Sequence, residues 1–341
     1  MNKKFIALAI AAAAASTGAT AAEIAKNDTS SLEMGGRVEA RLAIQDGKAE
    51  DQSRVRLNFL GKTDIADGLY GLGFYEGEFK ATNTSATNNG IKDIEEDSIE
   101  HRYMFAGIGG AFGEVTVGTV KGSLAAVTDF TDIMAYHGNG AAPKLTTADR
   151  PDRTIAYTGE FSGFELRANY TLSASKEDKT EDKLVSEKTE GYALSGIYNI
   201  GDTGARVTGA YASEKDGETK EANEFMAGAS YAFGDFYVAG LYTNKTDKET
   251  GAKDIKRDGY ELAAAYTLGQ AKFTTTYNRL DKKQDGTDNT KDTDAVAVDA
   301  TYFFNANFRT YVSYEFNLLD ADKAGKVASQ DQAVLGLRYD F

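Results

Sequence analysis

The chain has 341 residues, 38 basic against 52 acidic, a formal charge of −14, no cysteine and two histidines, His101 and His137. This acidic balance argues against a nucleic-acid partner, the missing cysteines remove any disulfide framework or thiolate chemistry, and two histidines exclude a His-rich metal site. Length alone suggests about two globular domains, yet only two prolines, Pro143 and Pro151, and an even composition mark no linker between them.

Residues 1–21, MNKKFIALAIAAAAASTGATA, combine two lysines, a short alanine-rich apolar run and small residues at Ala19 and Ala21. This is the pattern of a secretory signal peptide, and the run is shorter than the ~20 residues of a spanning helix. Cleavage is expected after Ala21, with a neighbouring bond as the alternative, leaving residues 22–341 as a single domain. Loss of Lys3 and Lys4 takes the formal charge from −14 to −16.

The stretch Ser31 to Ile44 sets small or apolar Leu32, Met34, Gly36, Val38, Ala40, Leu42 and Ile44 against charged Glu33, Arg37, Glu39 and Arg41. A period of two predicts a β-strand with two unlike faces. The second strand, Ser53 to Lys62, turns Val55, Leu57 and Phe59 outward and Arg54, Arg56, Asn58 and Lys62 inward. The third, Leu69 to Phe79, turns Gly71, Gly73 and Gly77 outward and Glu76 and Glu78 inward. Outward glycines leave a flat wall suited to close packing between subunits.

Strands are expected near Glu100 to Gly109 and Phe112 to Thr119, followed by Lys121 to Asp149, which has no sustained alternation. A segment this long inside a compact fold is a functional candidate. Further strands are expected at Arg150–Gly159, Gly163–Ser173, Gly191–Ile200, Ala205–Ser213, Glu224–Phe233 and Phe236–Asn244. The last five are Gly259–Leu268, Ala271–Leu280, Asp294–Phe304, Phe308–Leu319 and Gln332–Phe341. Connectors such as Gly234-Asp235 and Gly269-Gln270 are tight, whereas Ala174–Glu190, Lys245–Asp258 and Asp281–Thr293 are long, polar and expected outside the cell. Export, alternation, aromatic strand ends and the lack of an apolar helix predict an all-β fold, a 16-stranded antiparallel transmembrane β-barrel.

The segments VRLNFLGKTDIADGLYGLGFYEGEF, MFAGIGGAFGEVTVG, FTDIMAYHGN, RTIAYTG, YELAAAYTLGQAKFTTTYN, TYFFNANFRTYVSYEFNLLD and LGLRYDF resemble the general diffusion porins of Gram-negative outer membranes, OmpU type. The resemblance covers essentially the whole chain. It implies a homotrimer in the cell outer membrane whose third extracellular loop folds inward to narrow a water-filled channel. It also implies contact with outer-membrane lipid and lipopolysaccharide, and reading of the terminal Phe341 by the outer-membrane barrel assembly machinery. No cofactor is implied.

In that family a ladder of basic wall residues faces acidic residues on the inward loop. Arg37, Arg56, Arg102 and Arg150 match the basic positions, Asp132 a loop acid and Glu76 a wall acid. Arg41, Arg54, Glu33, Glu39 and Glu78 are a second set of lumen residues on inward parities. The Pro-Glu-Phe-Gly pattern of related loops is replaced here by Ala135, Tyr136, His137 and Gly138, so Tyr136 stands where a carboxylate is usual. Passive diffusion with cation preference is the expected activity, carried by inward acids including Glu315 and by loop acids Glu95, Glu96 and Asp97. An adhesin or receptor acting through its loops stays open beside it. An enzyme would need convergent groups at the lipid boundary, and His101 and His137 have no serine motif beside them.

Overall fold

Lipid and water impose opposite demands on the two faces of one strand, and the chain meets them by inverting the usual soluble arrangement. Leu194 and Leu262 are 50% and 59% exposed, while their strand neighbours Ala193 and Glu261 are 2% and 0% exposed. Large apolar side chains face out and the charged set faces in, as a wall in hydrocarbon requires. The computed structural model describes residues 21–80, 87–88, 91–92, 99–178, 183–186 and 189–341. Apart from Ala21, the expected leader lies outside the described residues, as do Glu95, Glu96 and Asp97.

Sixteen strands form the wall. The first five are β1 (Ser30–Gln45), β2 (Arg54–Ala66), β3 (Leu69–Lys80), β4 (Ile99–Gly110) and β5 (Gly113–Thr119). Next come β6 (Thr154–Phe161), β7 (Phe164–Thr171), β8 (Glu190–Asn199), β9 (Ala205–Asp216), β10 (Lys220–Phe233) and β11 (Phe236–Glu249). The last are β12 (Ile255–Leu268), β13 (Ala271–Gln284), β14 (Thr290–Phe303), β15 (Phe308–Asn317) and β16 (Gln332–Asp340). Each pairs antiparallel with the next, and β16 pairs with β1, so no edge is left open to hydrocarbon.

The seam is finished by both ends of the chain. Gly36 and Phe341 exchange two backbone hydrogen bonds of 2.8 and 3.0 Å. Beyond them a short strand, Ala22–Lys26, continues the ladder against Ser31–Met34 on β1. A second short strand, Lys48–Asp51, folds back on Leu42–Gln45 at the opposite end of β1. Near the tight Gly234-Asp235 turn, Tyr231, Phe233, Phe236 and Tyr266 stack with centroids 5.2, 5.3 and 4.5 Å apart, an aromatic band of the kind that sits at lipid headgroups.

Several strand boundaries differ from the sequence expectation. Lys245–Glu249, Ile255–Asp258, Asp281–Gln284 and Thr290–Thr293 belong to strands, not loops, because a hairpin standing in water keeps its backbone ladder with both faces polar. The sixth strand starts at Thr154 rather than Arg150. Pro151 has no amide to donate, and Arg153 adopts a φ of 52°, so pairing cannot begin earlier.

Candidate functional site

The inner face of β1, β2 and β3 is a lattice of opposite charges set by strand register. Arg37 stands opposite Arg56, Glu39 opposite Arg54, and Arg56 opposite Glu78. Glu39 receives Arg54 Nε at 2.9 Å and Arg41 Nη2 at 3.1 Å; Glu78 receives Arg56 Nη2 at 2.5 Å and Arg54 Nη1 at 3.3 Å. Alternating cross-strand charge is what lets acids as enclosed as Glu39 and Glu78, each 1% exposed, remain on the wall. The sequence reading placed Arg41, Arg54, Glu39 and Glu78 in its second rank, yet they tie the lattice together.

Arg102 reaches the lattice through a fault in the ladder. Met104, Ala106 and Ile108 face lipid, so an even parity would send Arg102 there too. Between Glu76 and Gly77 the register slips, with Glu76 opposite Tyr103 and Gly77 opposite His101. This β-bulge turns Arg102 inward, where its Nε meets Glu76 Oε1 at 2.7 Å. His101 is left on the outer face, hydrogen-bonded through Nδ1 to the Tyr75 hydroxyl at 3.0 Å. Arg150 is not on the wall: it follows a short helix and pairs with Glu100 at 3.0 Å. A cleft of about 350 Å³ lies here, lined by Glu100, Arg102, Lys144, Asp149 and Arg150 among others.

Across the seam the lattice continues into residues that sequence reasoning missed. Arg338 and Arg309 both hold Asp340, at 2.5 and 2.6 Å, and Asp340 stands opposite Arg37. Their inward parity was legible in LGLRYDF, but their neighbours depend on how the barrel closes.

Residues 120–153, between β5 and β6, run across this inner surface. They contain two short helical turns, α1 (Ala125–Thr128) and α2 (Thr146–Asp149). Leu124, Val127 and Leu145 pack on Ala193, Ala210, Ala212, Met226 and Leu241, all on inward parities. Wall carboxylates then accept backbone amides of the segment. Asp299 takes Ala135 N at 2.6 Å, Glu261 takes Ala141 N at 2.9 Å, Glu224 takes Leu145 N at 3.1 Å and Glu214 takes Thr147 N at 3.0 Å. At Gly259 a Cβ would stand 1.9 Å from Ala141 O, so only glycine admits the segment's backbone this close. None of these holding residues was singled out from sequence, because their partners are main-chain groups.

The tip of the segment reaches the far wall. Tyr136 donates its hydroxyl to Gln52, and the Arg41 guanidinium lies 5.0 Å from its ring centre. His137 contacts Ser313 Oγ at 2.7 Å through Nδ1 and Gln332 Oε1 at 3.2 Å through Nε2. Burial pushes its imidazole below the usual range, which favours the neutral ring that donates from Nε2 and accepts at Nδ1. An aromatic pair, Tyr136 and His137 with ring centroids 4.8 Å apart, thus stands where the resemblance led to the expectation of a carboxylate.

Other expected residues are more scattered. Asp132 is exposed, and the charges acting on it are Asp129, Lys144 and Lys121 rather than the wall arginines. Glu33 lies on the inward set, far down β1, and makes no ion pair among the described residues. Gly73 is exposed, with open space where a Cβ would stand, and Gly71 meets Thr63 and Ile65 side chains only at ordinary contact distance. Gly77 corrects the flat-wall expectation: it is buried under Tyr75, whose hydroxyl oxygen would lie 2.6 Å from a Cβ there.

Comparison with known proteins bears on this arrangement. A profile of the family described as Gram-negative porin matches residues 7–323. Outer membrane protein U of Vibrio parahaemolyticus is 47% identical over 351 aligned residues, and that of Vibrio cholerae serotype O1 48% over 361, each alignment covering 100% of both chains. Among solved structures, Salmonella typhi OmpF in complex with daunomycin superposes with a TM-score of 0.77 at 23% identity, covering 94% of this chain and 100% of that one.

Proposed function

Because the chain belongs to the Gram-negative porin family and is an outer-membrane porin, we propose that it forms a moderately cation-selective channel for passive diffusion of small hydrophilic solutes and ions. The observation that carries this reading is the charged lattice on the inner face, Glu39 and Glu78 to Arg54 and Arg56, in a barrel of sixteen strands. A barrel of that size encloses a lumen, and so many charges are stable there only beside water. Family and fold point to a channel rather than an enzyme. Residues 120–153 narrow the lumen, with Arg37, Arg56, Arg102, Arg150 and Glu76 along the path and Asp132 on the segment.

Cation preference is supported by a uniform difference between the acids. Glu39, Glu76 and Glu78 are neutralised by arginines, but Glu33, Asp132, Glu214 and Glu315 make no ion pair among the described residues. Together with a mature charge of −16, from −14 less Lys3 and Lys4, they raise the local cation concentration, an effect that salt screens. Liposomes carrying the purified protein should swell in uncharged sugars at rates that fall with sugar size. Swelling no faster than in protein-free liposomes would sink the channel reading.

The leader is cut after Ala21 in this reading, and three identical barrels assemble around the β3 face with lipopolysaccharide at the outer rim. Gly73→Arg should lower the fraction of trimer on native gels, since it places a charge in a packed interface; parental trimer levels would put the interface elsewhere. The barrel assembly machinery reads Phe341. Its deletion also removes both backbone bonds to Gly36, so the yield of heat-modifiable protein in outer membranes should drop, and an unchanged yield would count against that role.

A further inference from the structure

On the inner wall a cleft of about 260 Å³ opens where β16, β1 and β2 meet, lined by Arg37, Arg56, Asn58 and Arg338 together with Glu76 and Asp340. Register makes it cationic, because Arg37 faces Arg56 across one strand pair and Arg338 is the next inward residue beside Asp340 across the other. The acids at its border are already paired: Glu76 with Arg102 at 2.7 Å and with Arg56 at 3.6 Å, Asp340 with both Arg338 and Arg309. Arg37 is left with Glu39 at 3.7 Å, a carboxylate already holding two nearer guanidiniums. Arg37 is 8% exposed, and its buried Nε has no hydrogen-bond partner. Leaving a buried donor unmade costs about 1–3 kcal/mol, and more when it is charged.

We propose that this cleft binds a small doubly charged oxyanion, a phosphate or phosphate monoester, inside the channel. The proposal rests on the lumen being open to solutes. A tetrahedral oxyanion brings several acceptors to guanidiniums that present paired donors, and the Asn58 amide adds a neutral donor. A monocarboxylate offers two acceptor oxygens where a phosphate offers three or four. The cleft faces the lumen, out of reach of lipid headgroups, and has room for a small substituent beyond the phosphate. Ala21 also lines it, so cleavage after that residue opens the cleft further. A cation-preferring channel thereby gains a local station for phosphorylated solutes, which dwell there and partly block ion flow.

The test is a planar-bilayer titration at neutral pH, with inorganic phosphate replacing chloride at constant ionic strength. Single-channel conductance should fall along a saturating curve, and Arg338→Gln and Arg37→Gln should each raise the half-saturating concentration by about tenfold. A fall in proportion to the chloride removed, alike in parent and variants, would overturn the site while leaving the channel intact. Calorimetric titration of the folded, detergent-solubilised parent with inorganic phosphate reads the site without conduction. A saturating isotherm is expected, and the absence of binding heat overturns the proposal even for a barrel that does not open.

Discussion

Glu261→Ala is expected to raise single-channel conductance and current noise together. Glu261 accepts both the Thr131 hydroxyl at 2.5 Å and the Ala141 amide at 2.9 Å, fixing the crossing segment at two points ten residues apart. Truncation leaves the Ala141 amide without this acceptor, at about 1–3 kcal/mol, and the Thr131 hydroxyl with only the Thr128 carbonyl at 3.4 Å, and the segment relieves this by moving off the wall. Gly259→Val acts from the other side, since a side chain there occupies the space of Ala141 O. Planar-bilayer recording of both variants checks the idea. Parental conductance and noise in both would mean that the segment is held by its apolar contacts alone.

Arg56→Ala should increase cation preference. Its loss leaves Glu78 with Arg54 and Glu76 with Arg102, so the wall keeps its shape while one positive charge leaves the path. A unit charge about 4 Å from a passing ion in water acts with about 1 kcal/mol, enough to alter the local ratio of cations to anions several-fold. The shift should be clear near 0.1 M salt, where the screening length is about 10 Å, and shrink near 1 M, where it is about 3 Å. A reversal potential equal to the parent's at low salt would remove Arg56 from the path.

Much of the barrel was readable because its two faces meet different solvents. In Ser31–Ile44 that contrast runs along most of the strand, and Arg37, Glu39 and Arg41 fall on the inner face as their parity requires. Parity fails at Arg102, where a bulge adds one residue to the ladder without any mark in composition; only the likeness to related chains put it on the inner face. Arg338 and Asp340 were visible as inward residues, but their meeting with Arg37 depends on closure of the last strand on the first. The holding role of Glu224, Glu261 and Asp299 was hidden for a different reason. Their partners are backbone amides of a segment without periodicity, and a main-chain donor has no signature in sequence. Tyr136 was noticed as a missing carboxylate, whereas its positive role, bracing the segment against Arg41 and Gln52, follows only from the fold.

The most direct test of the account is the current through purified, unmodified protein in a planar bilayer under a KCl gradient at low salt. Stepwise conductance with a reversal potential of the sign set by potassium is the predicted result. Stepwise conductance with the sign set by chloride would contradict the charge argument, and a membrane that shows no steps would contradict the channel itself.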